Sequence, residues 1–468
     1  MAASLRASEQ GLEIVDGARR KKGWTKTEDA WWQLALSSQA TLKRFLQGKR
    51  RIKQDAFISL CQAVGIENWE EIAEDSSIQP TNSLISWFSY DDNWVGREEA
   101  IAHLTEKLRG TCRVLILTGI TGIGKTALAE RLAVELQGYW TECCRVNFDD
   151  KERVTDFASV AAELLTGWNE TVTPEECKNP QQLLNRLVRP LREHRYLLLI
   201  DSLEQILKGN EETGWSCFED EWWERFFEQL MTAEACESRV ILTSQNMPAQ
   251  LDIMGLRYRN FWHCQSLSGL REPERLELFD TTGLKTATES PAQPYLVRIG
   301  AAYEGHPLAL RVIAGEIVNP PFNGNVVAYW KKYGHEVEEV EQAHQQAEVK
   351  SADDEFKLDR FTRSLQRAVK KRVELTFKRL AKEVFNAYVL LCEASVYRRP
   401  VPEDWWLSHL EDWDCDEEKQ EVALDALRDR YLVEEEITDD ELLLRQHNLI
   451  RSVGLVHLRN LTTRQQSV

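Results

Sequence analysis

The chain has 468 residues, a net charge of −18 and a pI near 5.2, with 43% apolar and 29% charged residues. That length predicts two to four domains of ordinary globular composition, and the acidity excludes a protein that coats nucleic acid or anionic lipid over its whole surface. No apolar run approaches the ~20 residues of a membrane helix, and the ten cysteines show no C-x-x-C spacing, so the expectation is a cytoplasmic protein with reduced thiols and no membrane partner.

The charge is unevenly placed. Residues 1–56 carry net +6, the rest −24, and residues 403–441 alone carry −14. Opposite signs at the two ends predict different partners. The basic end is punctuated as short helices: 11–22 is amphipathic, Thr25 or Thr27 can cap a second helix, Ser37 or Ser38 a third, and 53–64 and 69–74 follow. This series, over about residues 10–75, resembles the helix-turn-helix of phage-repressor (Cro-like) proteins. The resemblance implies that the third helix, 38–45, enters a DNA major groove, with Gln39, Thr41 and Lys43 near base edges and Arg44, Lys49, Arg50, Arg51 and Lys53 near phosphates. The other reading is a helical docking module whose basic face is merely solvated. Residues 76–93, rich in Ser and Asn with Pro80, read as a linker.

Val114-Leu115-Ile116-Leu117 has the continuous apolarity of a parallel strand buried on both faces. Gly119-Ile120-Thr121-Gly122-Ile123-Gly124-Lys125-Thr126 follows at once, and then a helical pattern from Ala127. This is G-x-x-x-x-G-K-[ST] in its strand-loop-helix setting. Its glycines let backbone N–H groups close around phosphate oxygens at a helix N-terminus, Lys125 reaches the β- and γ-phosphates, and Thr126 offers its hydroxyl to Mg²⁺. A second apolar strand, Tyr196-Leu197-Leu198-Leu199-Ile200, ends in Asp201, placed to hold the Mg²⁺ shell. Glu204, three residues on, is a candidate to orient water, or else an exposed helix-start carboxylate. ATP or ADP with Mg²⁺ is the expected ligand, in an α/β P-loop core with a parallel sheet.

Further segments resemble the NB-ARC family of STAND-class, AAA-like signalling ATPases. Trp94-Val95-Gly96-Arg97-Glu98 is similar to the h-G-R-E segment that packs against adenine, which implies Val95, Gly96 and Arg97 as nucleotide contacts. Ser238-Arg239-Val240-Ile241-Leu242-Thr243-Ser244 looks like the sensor-1 strand, with Gln245 where the family commonly has Arg. Gly305-His306-Pro307-Leu308-Ala309-Leu310 looks like the segment whose proline, here Pro307, lies beside the base. Gln446-His447-Asn448 stands where the family has Met-His-Asp, which implies that His447 touches the β-phosphate of ADP in a closed state.

Two departures matter. Without the sensor-1 cation, charge on the transferring phosphoryl group is less well compensated, so slow turnover is expected. Ser202 replaces a second Asp and leaves the identity of the catalytic base open. The resemblance divides the chain into a helix-turn-helix-like domain (1–75), a linker (76–93), a nucleotide-binding domain (94–265), a helical subdomain (266–350, with a charged exposed helix or connector at 335–354) and a winged-helix subdomain (351–468). It implies a switch in which ADP holds the lids shut and ATP opens them for homo-oligomerisation, with the N-terminal module delivering a DNA-linked, regulatory output. The alternative is an adaptor in defence or stress signalling that recruits an effector protein through its N-terminal helices. The class usually continues into WD, TPR or leucine-rich repeats. No such period is visible here, so the sensor is expected to be absent, on another chain, or outside this sequence.

Overall fold

The computed structural model describes residues 4–24, 29–35, 41–42, 45–46, 52–66, 68–73, 94–149, 155–210, 214–287, 289–350, 357–413, 415–438 and 441–465. Its centre is a five-stranded parallel sheet. The strands are β1 (Val114–Thr118), β2 (Glu142–Asn147), β3 (Tyr196–Asp201), β4 (Arg239–Ser244) and β5 (Trp262–Ser266), in the order β2-β3-β4-β1-β5. Both central neighbours of β1 run parallel to it, Val114 pairing with Val240 on one side and Trp262 on the other. Successive side chains of a strand point to opposite faces, and the apolar runs therefore feed two cores. Leu115, Leu117, Leu197, Leu199 and Ile241 pack into one; Val114, Ile116, Leu198, Ile200, Val240 and Leu242 pack into the other. Burial on both faces is what the unbroken apolarity of β1 and β3 required.

Helices Glu272–Thr281, Gln293–Ala302, Pro307–Val318 and Val326–Lys350 follow β5. The first core extends through them, taking in Leu278, Leu296, Ile313 and Val337. Residues 335–350 are not a separate connector: they continue helix Val326–Lys350, whose Val337 and Val340 are buried in that core. The expected boundary at 350/351 falls beside 351–356, which lie outside the described residues. Helix Lys357–Glu383 then passes between two cores, with Leu365 and Val369 in the first and Val373, Phe377 and Leu380 in a third. That third core is built by helices Phe385–Glu393, Glu403–Ser408, Glu417–Arg428 and Asn448–Gln465 around an antiparallel sheet of Val401–Pro402, Glu441–Arg445 and Glu434–Thr438.

The N-terminal unit has its own core of Val15, Trp31, Phe45, Phe57, Leu60 and Ile72. Among the described residues its helices include Glu9–Lys21, Asp29–Leu34 and Gln54–Ala63, followed by a 3-10 turn at Trp69–Glu71. Gly11 is required there, because a Cβ would meet the Ile72 carbonyl oxygen at 2.2 Å. The all-α expectation is corrected by a small antiparallel pairing of Ser4–Leu5 with Ile52–Lys53. Thr41 is also corrected: it is buried, so its hydroxyl cannot present to a base edge. Gln39, Lys43, Arg44, Lys49, Arg50 and Arg51 lie outside the described residues. In each Trp pair one ring is buried (Trp31, Trp223, Trp406), and Trp405 is exposed. Among the described residues, no helix is long and apolar enough to cross a membrane.

Candidate functional site at the P-loop

The loop from Gly119 to Gly124 joins β1 to helix Lys125–Glu135, and Gly119, Gly122 and Gly124 all have positive φ, at 147°, 81° and 95°. These are conformations that side-chain-bearing residues rarely adopt, so the glycines set the path of the loop. Ile120 and Ile123 anchor it in the first core, while Thr121 is half-buried and Ala127 continues the helix. Lys125 is buried, and its Nζ donates to the carbonyls of Gly119 and Ile120 at 2.9 and 3.2 Å. Burial pushes its amino group down, opposed by the charges of Glu204, Asp201 and Asp149. A buried ammonium held only by carbonyls, at a helix N-terminus and in a glycine loop, fits an anionic ligand.

Asp201 ends β3 and is buried. Its Oδ1 accepts from Thr126 Oγ1 at 2.8 Å and from Thr243 Oγ1, and its Oδ2 accepts from Arg145 Nη2 at 2.9 Å. Burial alone would raise its carboxyl, but Arg145 and the hydroxyl donors outweigh that and hold it below the usual aspartate value. A carboxylate beside a hydroxyl is an oxygen donor pair of the kind hard divalent cations take, so Thr126 and Asp201 fit Mg²⁺. On the far side of Arg145 lies Glu130, fully buried on the P-loop helix, with Oε1 2.8 Å from the guanidinium Nη1.

Glu204 is buried too, which overturns its reading as an exposed carboxylate. Gln245 holds it twice, from the backbone N–H to Oε2 at 3.1 Å and from Nε2 to Oε1 at 3.0 Å. Burial raises this carboxyl while Lys125 pulls it back. Ser202 takes a left-handed conformation, φ 62°, and its hydroxyl donates to Asp149 Oδ2 at 2.6 Å.

The remaining segments converge on the same loop from outside the sheet. Val95 is buried in the first core, and a Cβ on Gly96 would strike Glu274 at 2.7 Å. Arg97 donates from Nη2 to the Ile123 carbonyl of the loop at 2.6 Å and to the Ser268 carbonyl at 3.1 Å. Pro307 opens helix Pro307–Val318, where the missing proline N–H costs nothing. His306, just before it, lies 3.0 Å from the Thr121 carbonyl. His447 is half-buried, and burial lowers its imidazole; Glu434 opposes this, while the charges of Arg445 and Lys125 add to it. Its neighbour Asn448 donates to Asp149 Oδ2. Arg97 and His306, more than 200 positions apart, thus both touch the loop, while Asn448 meets the sheet beside it at Asp149.

Arg145, Glu130, Asp149, Thr243 and His306 were not singled out as site residues from sequence. His306 carried a signal, as a residue placed to cap a helix that opens on proline, whereas Arg145, in a half-buried strand that also holds Glu142 and Asn147, carried none. Glu130 carried none, since a glutamate in a helix is ordinarily solvated.

Residues 93–216 match the family model described as an AAA ATPase domain, so the chain contains an AAA-type P-loop nucleotide-binding domain. An uncharacterized WD repeat-containing protein of Nostoc sp. (strain PCC 7120) is 28% identical over 369 residues, covering 69% of this chain. The chain spans 28% of the length of that curated relative. Among solved structures, Cdc6p from Pyrobaculum aerophilum aligns over 82% of this chain and 99% of its own, at 13% identity and a TM-score of 0.32. The Orc1 protein of Aeropyrum pernix, solved in complex with DNA, aligns over 78% and 93%, also at 13% and 0.32. Superpositions this loose carry nothing about what the present chain binds.

Proposed function

We propose that the chain is a nucleotide-operated signalling switch of the NB-ARC, STAND-class type. ADP with the lids docked is the resting state, and ATP with Mg²⁺ is the state that opens and self-associates. The observation that carries this reading is that two separate C-terminal segments meet the nucleotide-binding domain here: His306 on the Thr121 carbonyl of the loop that holds Lys125, and Asn448 on Asp149, which also accepts from Ser202 beside Asp201. A lid that borders the phosphate site has different contacts with ADP and ATP, and only such differential affinity can move a two-state equilibrium.

In this reading Lys125 and the loop amides bind the phosphates, Thr126 and Asp201 hold Mg²⁺, and Gln245 keeps Glu204 oriented toward water. Val95, Gly96, Arg97 and Pro307 border the base. Bound Mg²⁺ supplies charge neutralisation at the phosphates. The absence of an arginine at position 245 supports slow hydrolysis. The order of helices and short antiparallel strands from 385 to 465 favours a winged-helix subdomain. Its −14 stretch favours a lid over a second DNA reader. The printed name of the Nostoc relative supports a sensor of WD repeats in related proteins. The basic N-terminal unit is the output module, for DNA or for an effector protein.

The test is the mass and nucleotide content of the purified chain with ADP and with a non-hydrolysable ATP analogue. Co-purified ADP and a shift from monomer to oligomer on exchange are expected; one mass under both conditions sinks the switch. Lys125→Ala is expected to weaken ADP by at least about a hundredfold, since it removes a buried charge-assisted contact.

A further inference from the structure

His306 is the N-cap residue of helix Pro307–Val318 and is wholly buried. A buried imidazole is costly unless both ring nitrogens find partners. Here Nδ1 accepts the Ala309 N–H at 3.3 Å and so caps the helix, while Nε2 lies 3.0 Å from the Thr121 carbonyl oxygen. A carbonyl only accepts, so Nε2 carries the proton, and one neutral tautomer satisfies both contacts. Burial pushes this imidazole down to about 3, against the pull of the Thr121 carbonyl and together with the charges of His447, Lys125 and Arg97.

The ring also packs directly on the loop. A Cβ on Gly122 would lie 2.9 Å from its Cε1 and 2.9 Å from the Leu308 side chain. Across a planar trans peptide, the Gly122 N–H points opposite to the Thr121 carbonyl. The contact with His306 therefore fixes the direction of a loop N–H as well as that of the carbonyl. Helix Pro307–Val318 is in turn gripped from two sides: Ala309, Leu310 and Ile313 sit in the core that holds the loop, and Leu308 and Val312 sit in the C-terminal core.

We propose that His306 is a positioning residue, which sets the 121–122 peptide of the P-loop for phosphate binding and so makes nucleotide affinity depend on the docking of helix Pro307–Val318. The proposal rests on the nucleotide reading above. It predicts that the helix transmits lid movement to the loop through one side chain, with no contact between that side chain and the nucleotide itself.

Two substitutions in the full chain separate the two bonds. In His306→Asn the side-chain oxygen still caps Ala309 but nothing reaches Thr121. In His306→Gln the amide nitrogen reaches Thr121 but the cap is lost. Affinity is read with a fluorescent ADP, and stability by thermal melting without nucleotide. We expect His306→Asn to weaken ADP roughly tenfold, the loss of one buried hydrogen bond, at nearly unchanged melting. We expect His306→Gln to stay within about threefold of wild-type affinity while melting lower, as a lost cap requires. Wild-type ADP affinity in His306→Asn, or tenfold weakening in His306→Gln, overturns the proposal and leaves a purely structural cap. Should His306→Asn fail to fold, the affinity of His306→Gln decides alone. Lys125→Ala in the same assay is the control: retained ADP binding there overturns the nucleotide reading itself and not the role of His306.

Discussion

Around Glu316, between helices Pro307–Val318 and Lys357–Glu383, both carboxylate oxygens are matched. Oε1 accepts from Arg372 Nη2 and from Thr376 Oγ1 at 2.6 Å; Oε2 accepts from Arg379 Nη1, and Tyr329 closes the group at 3.4 Å. Arg372 and Arg379 also reach Glu336, so three helices are tied together. Burial would raise the Glu316 carboxyl, yet the two guanidinium groups outweigh it and hold it below the ordinary value. Around Glu130, beside the P-loop, the same residue types give a different result. Arg145 is shared between Glu130 and Asp201, neither Glu130 oxygen has an aligned hydrogen bond, and burial pushes its carboxyl up to about 8 although Arg145 pulls it back. A carboxylate matched at both oxygens ties its elements together, even though Arg372 Nε in the same cluster is buried without a partner. An under-compensated one sits beside Asp201, where a single guanidinium is divided between two buried carboxyl groups.

This contrast can be broken from either side. The largest effect belongs to Glu316→Ala, which leaves two arginines facing each other in a buried joint. It should cost about 3–5 kcal/mol in urea unfolding, and a loss below about 1 kcal/mol would show that Glu316 does not hold the joint together.

A smaller effect is expected from pH. His306 is held neutral down to about 3 in the folded chain, whereas an unfolded histidine protonates near 6.5. Its folded pKa is depressed, so between these values the unfolded state binds the extra proton and stability falls as pH falls. Between pH 7 and pH 5 the wild type should lose about 2 kcal/mol more than His306→Asn. Equal losses would mean that the ring is not held neutral at the loop.

The smallest effect is predicted for Glu130→Gln. A carboxyl raised to about 8 is already largely protonated at pH 7, so a neutral isostere should change stability by less than about 1 kcal/mol. Destabilisation as large as that of Glu316→Ala would erase the distinction between the two networks.

The phosphate side of the site was legible because its chemistry is local. Gly119 to Thr126 is one short loop whose backbone needs glycine, and Asp201 ends a strand whose apolar run announces itself. The proposed lid side rests on resemblance: Pro307 and His447 are ordinary residues until something else is placed beside them. The charge network was mostly not legible. Glu130 looks like any exposed helical glutamate, and only the tertiary fold buries it beside Arg145 of β2. Thr41 shows the opposite failure, where a polar residue expected at a DNA edge is turned inward among Leu42 and Phe45.

Sequence by itself determined the parallel sheet, the glycine loop and the positions of Lys125, Thr126 and Asp201, because strand apolarity, backbone freedom and the order strand-loop-helix act over a few neighbouring residues. Tertiary structure alone decided that His306 fixes the Thr121 carbonyl, that Asn448 meets Asp149, and which buried carboxylate is saturated and which is not. Those outcomes depend on burial and on distances between residues far apart in the chain, and the cost of a buried charge or hydrogen-bonding group is set by the partners that packing brings to it.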